Sequence, residues 1–99
     1  MHVAVCRIRL HIYASQSLKD RRQVVQSVTA RLRQKFPVAV AEVGGQDTWQ
    51  IAVIGIAAVS GSATMAREMV QAAAEHAQGA APEAEVTIEG VDVFDYRES

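Results

Sequence analysis

The opening segment of the chain alternates, and this pattern constrains the fold more than any other. From His2 to Ile12, one set of side chains is apolar throughout: Ala4, Cys6, Ile8, Leu10 and Ile12. The intervening set is mixed: Val3, Val5, Arg7, Arg9 and His11. Because successive side chains of a strand point to opposite faces, the alternation predicts a strand with one buried face.

After a short connection the apolar period changes to that of a helix. Ser17 followed by Asp20 approximates a capping box, with the shorter Asp replacing the usual Glu. From Leu18 to about Lys35, apolar residues then recur at helical spacing. Pro37 prevents a helical continuation. The segment is therefore predicted to be an amphipathic helix.

Four more elements follow. They are a strand over 38–43, a strand over 49–60, a helix from about 63 to 77 and a strand over 86–96. Gly44-Gly45 reads as a hairpin turn, and Gly79 with Pro82 is expected to end the second helix. The apolar phase of the last strand slips at Gly90, which predicts a bulge or bend there.

The predicted order is strand, helix, strand, strand, helix, strand. This order is the split βαβ, or ferredoxin-like, arrangement: an α+β two-layer sandwich with a four-stranded antiparallel sheet. Right-handed crossovers place strands one and three in the centre and both helices on one face. The 99 residues are expected to form a single domain over 1–99.

Composition excludes several classes. Hydrophobic residues make up 49% and charged residues 21%, as in ordinary globular proteins. The single cysteine, Cys6, excludes a disulfide framework and a thiolate-rich zinc site. The longest apolar run, Ile51 to Val59, is too short to span a bilayer, and the alternation reaches Arg7 too early for a signal peptide. We expect a cytoplasmic protein without a metal or cofactor.

The third strand is apolar on both faces, whereas a sheet face exposed to water should alternate with polar residues. We therefore expect the uncovered face of the sheet to bind a second copy of the chain as a homodimer, or another partner surface. The alternative is a monomer that tolerates exposed alanine and valine.

Charge is divided between the two halves of the chain. Residues 1–36 hold eight basic groups and one acid, which gives +7; residues 37–99 hold two basic groups and ten acids, which gives −8 and a total of −1. The eight basic residues are candidate nucleic-acid contacts: Arg7, Arg9, Lys19, Arg21, Arg22, Arg31, Arg33 and Lys35. The alternative is that they pair with acids of the second and fourth strands.

Arg21 is unusual because the helical period places it inside the apolar stripe. Its side chain is expected to extend past the core edge towards Glu42 or Asp47 as a structural ion pair. The alternative is a role in a site at this corner.

Polar residues gather where the first strand, the first helix and the loop before the third strand meet. The set is His11, Ser17, Glu42, Asp47, Trp49 and Gln50. Histidine beside carboxylates can act in acid–base catalysis, but such residues more often hydrogen-bond a loop. The central strands also lack the aromatic platform of an RNA-recognition motif. We expect no enzyme activity, although a small-ligand site at this corner stays open.

Together these residues resemble the YlxP-like family of small bacterial proteins. The resemblance runs from the first strand through the third and rests on the following segments: His11, Ser17-Leu18-Lys19 with Arg22, Arg31-Leu32-Arg33 before Phe36, Val38-Ala39-Val40-Ala41-Glu42, Asp47 with Trp49-Gln50, and Gly55. It implies a ferredoxin-like fold and a genomic setting near transcription–translation and ribosome-maturation genes, which suggests contact with RNA or the ribosome. It brings no catalytic residues.

The leading hypothesis is a non-enzymatic RNA- or ribosome-associated binding protein that acts through a basic helix. The alternative is a protein-interaction or self-assembly module without affinity for nucleic acid.

Overall fold

The computed structural model describes residues 1–45 and 48–97. Within these residues the chain forms four strands and two helices: β1 (His2–His11), α1 (Leu18–Lys35), β2 (Ala39–Gly44), β3 (Ile51–Ser60), α2 (Ala63–Ala80) and β4 (Glu85–Asp95). The strands form one antiparallel sheet in the order β2-β3-β1-β4. Both helices pack on the same face of it. The predicted ferredoxin-like fold is confirmed.

Strand β1 organises the sheet because it pairs along its whole length with β3 on one side and β4 on the other. Its predicted apolar side is buried against the helices. The opposite side, shared by all four strands, carries no helix in the described part of the chain. We call this side the open face.

The predicted irregularity at Gly90 is a bulge. The register between β1 and β4 shifts between Cys6 and Arg7, and Gly90 has a φ of 74°. Only glycine adopts this conformation without steric cost. The extra residue keeps the valines that follow it on the helix side and places both Glu89 and Asp92 on the open face.

Helix α2 lies close to the sheet because the side that it buries is mostly alanine. It continues to Ala80, so the expected end near Ala77 was wrong. Gly79 lies inside the helix and does not have a positive φ. The terminal turn is stabilised from outside, since the guanidinium of Arg31 donates to the Ala80 carbonyl oxygen at 3.2 Å.

Helix α1 begins as the sequence predicts. The Ser17 hydroxyl accepts a hydrogen bond from the backbone N–H of Asp20 at 3.1 Å, and the Asp20 carboxylate accepts one from the backbone N–H of Gln16. This arrangement stabilises the first turn.

Candidate functional site

The open face is organised in rows that follow the strands. The acidic row on β4 consists of Glu85, Glu89 and Asp92. The basic row on β1 consists of Arg7 and Arg9. The apolar row on β2 and β3 consists of Ala39, Ala41, Val43, Ile51, Val53, Ala57 and Val59. The prediction that β3 is apolar on both faces is therefore confirmed.

A shallow groove of about 450 Å³ crosses the middle of the open face. Gly55 lines it between Arg7 of β1 and Ala41 of β2, its register neighbours. A Cβ atom at position 55 would lie 3.1 Å from a methyl group of Val43. Because Gly55 has no side chain, the surface of the sheet is recessed at the centre of the open face. Apolar side chains of β2 and β3 line one side of this groove, and charged side chains of β1 and β4 line the other.

Arg21 is buried, with 3% of its side chain exposed. Its Nε donates to the Ile51 carbonyl oxygen at 2.9 Å, and its guanidinium forms an ion pair with Glu42. The predicted structural ion pair is confirmed. The assignment of Arg21 as a nucleic-acid contact was wrong, because a guanidinium enclosed against a carboxylate cannot meet a phosphate.

Three other cations of α1 make contacts without meeting a carboxylate. Arg31 donates to the end of α2, as described above, and Arg33 donates to the Val40 carbonyl oxygen of β2 at 2.6 Å. Lys35 Nζ lies 3.5 Å from the Nδ1 atom of His76. These partners are uncharged oxygens and a ring nitrogen. They position the cations but do not cancel their charge.

The remaining four candidates are exposed. Arg7 and Arg9 lie on the open face, whereas Lys19 and Arg22 lie on the outer side of α1. None of the four side chains makes a hydrogen bond or ion pair within residues 1–45 and 48–97. The predicted basic set is consequently split between two opposite layers of the molecule.

The predicted polar corner is only partly assembled. Ser17 caps α1 and Glu42 pairs with Arg21, so both have structural roles. Asp47 lies outside the described residues. The Gln50 side-chain amide donates to the Tyr13 carbonyl oxygen at 3.1 Å, and Trp49 is exposed. His11 has no hydrogen bond to a carboxylate among the described residues.

Tyr13 is a member of the corner that sequence reasoning missed. Its ring lies 3.9 Å from that of His11, and its hydroxyl donates to the Glu85 carboxylate at 3.2 Å. Partial desolvation, together with the hydrogen bond and charge of Glu85, raises the pKa of Tyr13. The available signal in the sequence was an aromatic residue two positions beyond β1, whose last residue is His11. The contact with β4 could be found only from the topology.

Three further observations concern metal binding, the Cys6 thiol and the membrane. No group of three or more His, Cys, Asp or Glu residues in the described ranges could hold a metal ion. Burial raises the pKa of the Cys6 thiol. Neither helix of the described chain is both long and apolar enough to cross a membrane.

The fold and these surfaces define a ferredoxin-like α+β protein with a basic outer helix and an open sheet. The chain belongs to the family described as protein of unknown function (DUF503), whose model matches residues 3–89. It is 43% identical over 60 residues to the uncharacterized protein YlxP of Bacillus subtilis (strain 168). That match covers 61% of this chain and 65% of the relative. The resemblance to YlxP-like proteins is thereby confirmed.

Two solved structures share the fold at low sequence identity. The C-terminal segment of the alpha subunit of aIF2 from Pyrococcus abyssi has a TM-score of 0.55 and 15% identity, covering 87% of this chain and 48% of that one. SnoaB, a cofactor-independent oxygenase from Streptomyces nogalater, has a TM-score of 0.58 and 10% identity, covering 100% and 97%. At these identities the likeness concerns the fold alone.

Proposed function

We propose that this protein is a non-enzymatic cytoplasmic RNA-binding protein whose helix α1 contacts the phosphate backbone. One observation carries the proposal: the exposed cations of α1 meet no carboxylate in the described part of the chain. These cations are Lys19, Arg22, Arg31, Arg33 and Lys35.

Arg31 and Arg33, whose side chains are anchored by backbone carbonyl oxygens, are suited to phosphate binding. A guanidinium has five N–H donors, and the contacts of Arg31 and Arg33 to backbone carbonyls leave donors free in each. Such anchoring reduces the side-chain freedom that would be lost on binding. Lys19 and Arg22 extend the charge to the N-terminal half of the helix. The exposed cations are thus distributed along the 18 residues of α1, with Arg31 and Lys35 towards α2 and Arg33 towards β2.

The acidic side chain of α1 does not cancel this charge. The Asp20 carboxylate is in the first turn, where it accepts the Gln16 N–H and complements the helix dipole. Arg21 and Glu42 form their own buried pair. The exposed surface of α1 thus keeps five positive groups against one carboxylate.

Arg7 and Arg9 are not part of the proposed contact. They lie in the opposite layer, on the strand that pairs with β4 and its acidic row. Carboxylates at that spacing repel phosphate. The proposed surface is therefore smaller than the set that the sequence indicated.

Contacts to phosphate groups predict the properties of the RNA ligand. Phosphate contacts give affinity that falls with salt and depends little on sequence. The exposed glutamines of α1, Gln23 and Gln26, add hydrogen-bonding groups without adding an aromatic platform for base stacking. The family resemblance favours ribosomal RNA as the source. The ligand is thus proposed to be structured RNA read through its backbone.

The test compares a double variant of α1 with a matched control. Lys19→Gln/Arg22→Gln removes two charges that make no internal contact, and Arg67→Gln removes one from the exposed side of α2. Binding to a fluorescein-labelled ribosomal RNA hairpin is followed by anisotropy at low salt. We expect at least a fivefold loss of affinity for the double variant and no change for Arg67→Gln.

Equal affinities for the double variant and the wild type would contradict the proposal. An absence of RNA binding at low salt, combined with salt-sensitive self-association, would instead favour the protein-interaction module. The apolar row of the open face is the observation that supports this second function, a protein-interaction module.

A further inference from the structure

We propose that a cleft at one end of the sheet binds an unpaired nucleobase. The cleft has a volume of about 480 Å³, and the residues that line it include His11 at the end of β1 and Trp49 just before β3. We call it the aromatic cleft. The inference rests on the proposed RNA binding and adds a second point of contact for the same ligand.

Two large aromatic side chains are exposed at this end of the molecule. Trp49 exposes 56% of its surface, and Tyr13, two residues beyond β1, exposes 57%. The centroid of the Tyr13 ring lies 3.9 Å from that of His11, with 32° between the ring planes, and the Tyr13 hydroxyl donates to Glu85 at 3.2 Å. Tyr13 therefore supports the His11 ring from one side. A planar ring that enters the cleft meets the imidazole of His11 and the indole of Trp49.

Hydrogen bonds position the segments that carry these rings. The side-chain amide of Gln50 donates to the Tyr13 carbonyl oxygen at 3.1 Å, which ties the segment after β1 to the segment before β3. The Thr48 hydroxyl accepts a hydrogen bond from the Ile51 N–H at 3.1 Å and so closes the turn that carries Trp49. A platform that is already positioned loses less conformational freedom when a ligand binds.

The first turn of α1 lies at the same end of the sheet as the aromatic cleft. Arg21, in that turn, donates to the Ile51 carbonyl oxygen at 2.9 Å, and Ile51 both lines the cleft and pairs with His11 in the register of β1 and β3. Lys19 and Arg22 lie within about one helical turn of Arg21, a rise of about 5.4 Å. Phosphates bound by these two cations therefore leave neighbouring nucleotides close to the cleft.

An unpaired base matches this arrangement better than another planar or apolar partner does. His11 and Ile51 belong to the open face, so a nucleotide must turn out of its helix to reach the cleft from α1. Bases in loops and bulges can be splayed out in this way and are commonly bound by stacking on aromatic side chains. A proline-rich peptide also binds to aromatic side chains, but it brings no phosphate to the cations of α1. The cleft and the helix together thus favour RNA.

The fluorescence of Trp49 tests the proposal, because Trp49 is the only tryptophan in the sequence. Two blunt-ended RNA duplexes are compared, identical except that one carries a single bulged adenosine. We expect the bulged duplex to quench the fluorescence and the fully paired duplex to leave it nearly unchanged. A polyproline peptide should also have no effect. Equal responses to the two duplexes, or a response to the peptide alone, would overturn the inference.

Affinities of both duplexes, labelled with fluorescein and followed by anisotropy at low salt, test the ring itself. Trp49→Leu removes the stacking of one base and should weaken binding of the bulged duplex by about fivefold or more, without changing that of the paired duplex. Trp49→Phe keeps an aromatic ring and should retain most of the affinity. Tyr96→Leu is the matched control and should have no effect, because Tyr96 is also exposed but follows β4 at the opposite end of the sheet.

The base contact and the phosphate contact fail in different ways. Lys19→Gln/Arg22→Gln should lower the affinity for both duplexes, whereas Trp49→Leu should act on the bulged duplex alone. A Trp49→Leu variant that unfolds at the wild-type temperature and binds the bulged duplex as tightly as the wild type would overturn the base site and leave the contact on α1 intact. Quenching by the bulged duplex with unchanged affinity in the α1 variant would support the base site and contradict the contact on α1. A wild-type protein that binds neither duplex would overturn both.

Discussion

The outer side of α1 and the open face both carry arginines from the first third of the chain, but the two surfaces differ in their neighbours. Around α1, the described contacts of the exposed cations are backbone oxygens and a histidine nitrogen. On the open face, antiparallel pairing brings the basic row of β1 beside the acidic row of β4. Antiparallel pairing thus places carboxylates beside Arg7 and Arg9, whereas the exposed cations of α1 meet no carboxylate among the described residues.

Arg21 lies in a third environment, which is the buried interior between α1 and the sheet. It is adjacent in sequence to Arg22, yet the helical period turns it towards the core, where it meets Glu42 and the Ile51 carbonyl. Position on the helix, rather than residue type, decides between a structural and a binding role.

The largest effect is expected for Arg21→Met. Removing the guanidinium leaves Glu42 without its partner and the Ile51 carbonyl without its donor, which should lower the free energy of unfolding by about 2–4 kcal/mol. The neighbouring substitution Arg22→Met, on the exposed side of the same helix, should change it by less than about 0.5 kcal/mol. Urea denaturation measures both values. Equal stabilities for the two variants would show that the buried pair has no structural role.

A glycine pair tests the bulge that shapes the acidic row. Gly90→Ala forces a Cβ into a backbone with a φ of 74°, although no atom lies within 4 Å of it, so it should cost about 1 kcal/mol. Gly79→Ala adds a methyl group to an exposed turn of α2 with equally open space and should stabilise by about 0.5–1 kcal/mol. Thermal unfolding of both variants gives the sign. Two shifts in the same direction would contradict the conformational explanation.

A smaller effect is expected for Arg31→Gln. The substitution weakens the hydrogen bond and charge that Arg31 supplies to the C-terminal carbonyls of α2, which should cost about 0.5–1 kcal/mol. Lys19→Gln, which removes an α1 charge without an internal contact, is the control and should be neutral. Hydrogen exchange of the last turn of α2 locates the effect. Unchanged protection of that turn would rule out the proposed anchoring.

Much of the fold could be predicted from local patterns. The alternation of β1 has period two, the apolar stripe of α1 has the helical period, and the phase slip at Gly90 marks the bulge; each of these signals is contained within one segment. The end of α2 was misplaced because Gly79 looks like a terminal glycine, whereas the helix continues to a carbonyl that Arg31 reaches from α1.

The candidate site was less predictable because its properties depend on contacts between distant segments. The helical period placed Arg21 in the apolar stripe, with Glu42 or Asp47 as its expected partner, and the structure shows Glu42. It did not reveal that Arg33 would reach the Val40 carbonyl or that Tyr13 would hydrogen-bond Glu85. Those contacts require the packing of helix on sheet and of β1 on β4. The division of the basic residues between two layers follows from the same packing.

The central claim is that α1, and not the open face, contacts the RNA backbone. The salt dependence of RNA affinity tests it directly, because the slope of log K against log salt counts the phosphate contacts. Lys19→Gln/Arg22→Gln should reduce that slope by about 1.4–1.8, and Arg7→Gln/Arg9→Gln should leave it unchanged. A reduced slope for the β1 pair together with an unchanged slope for the α1 pair would contradict the account.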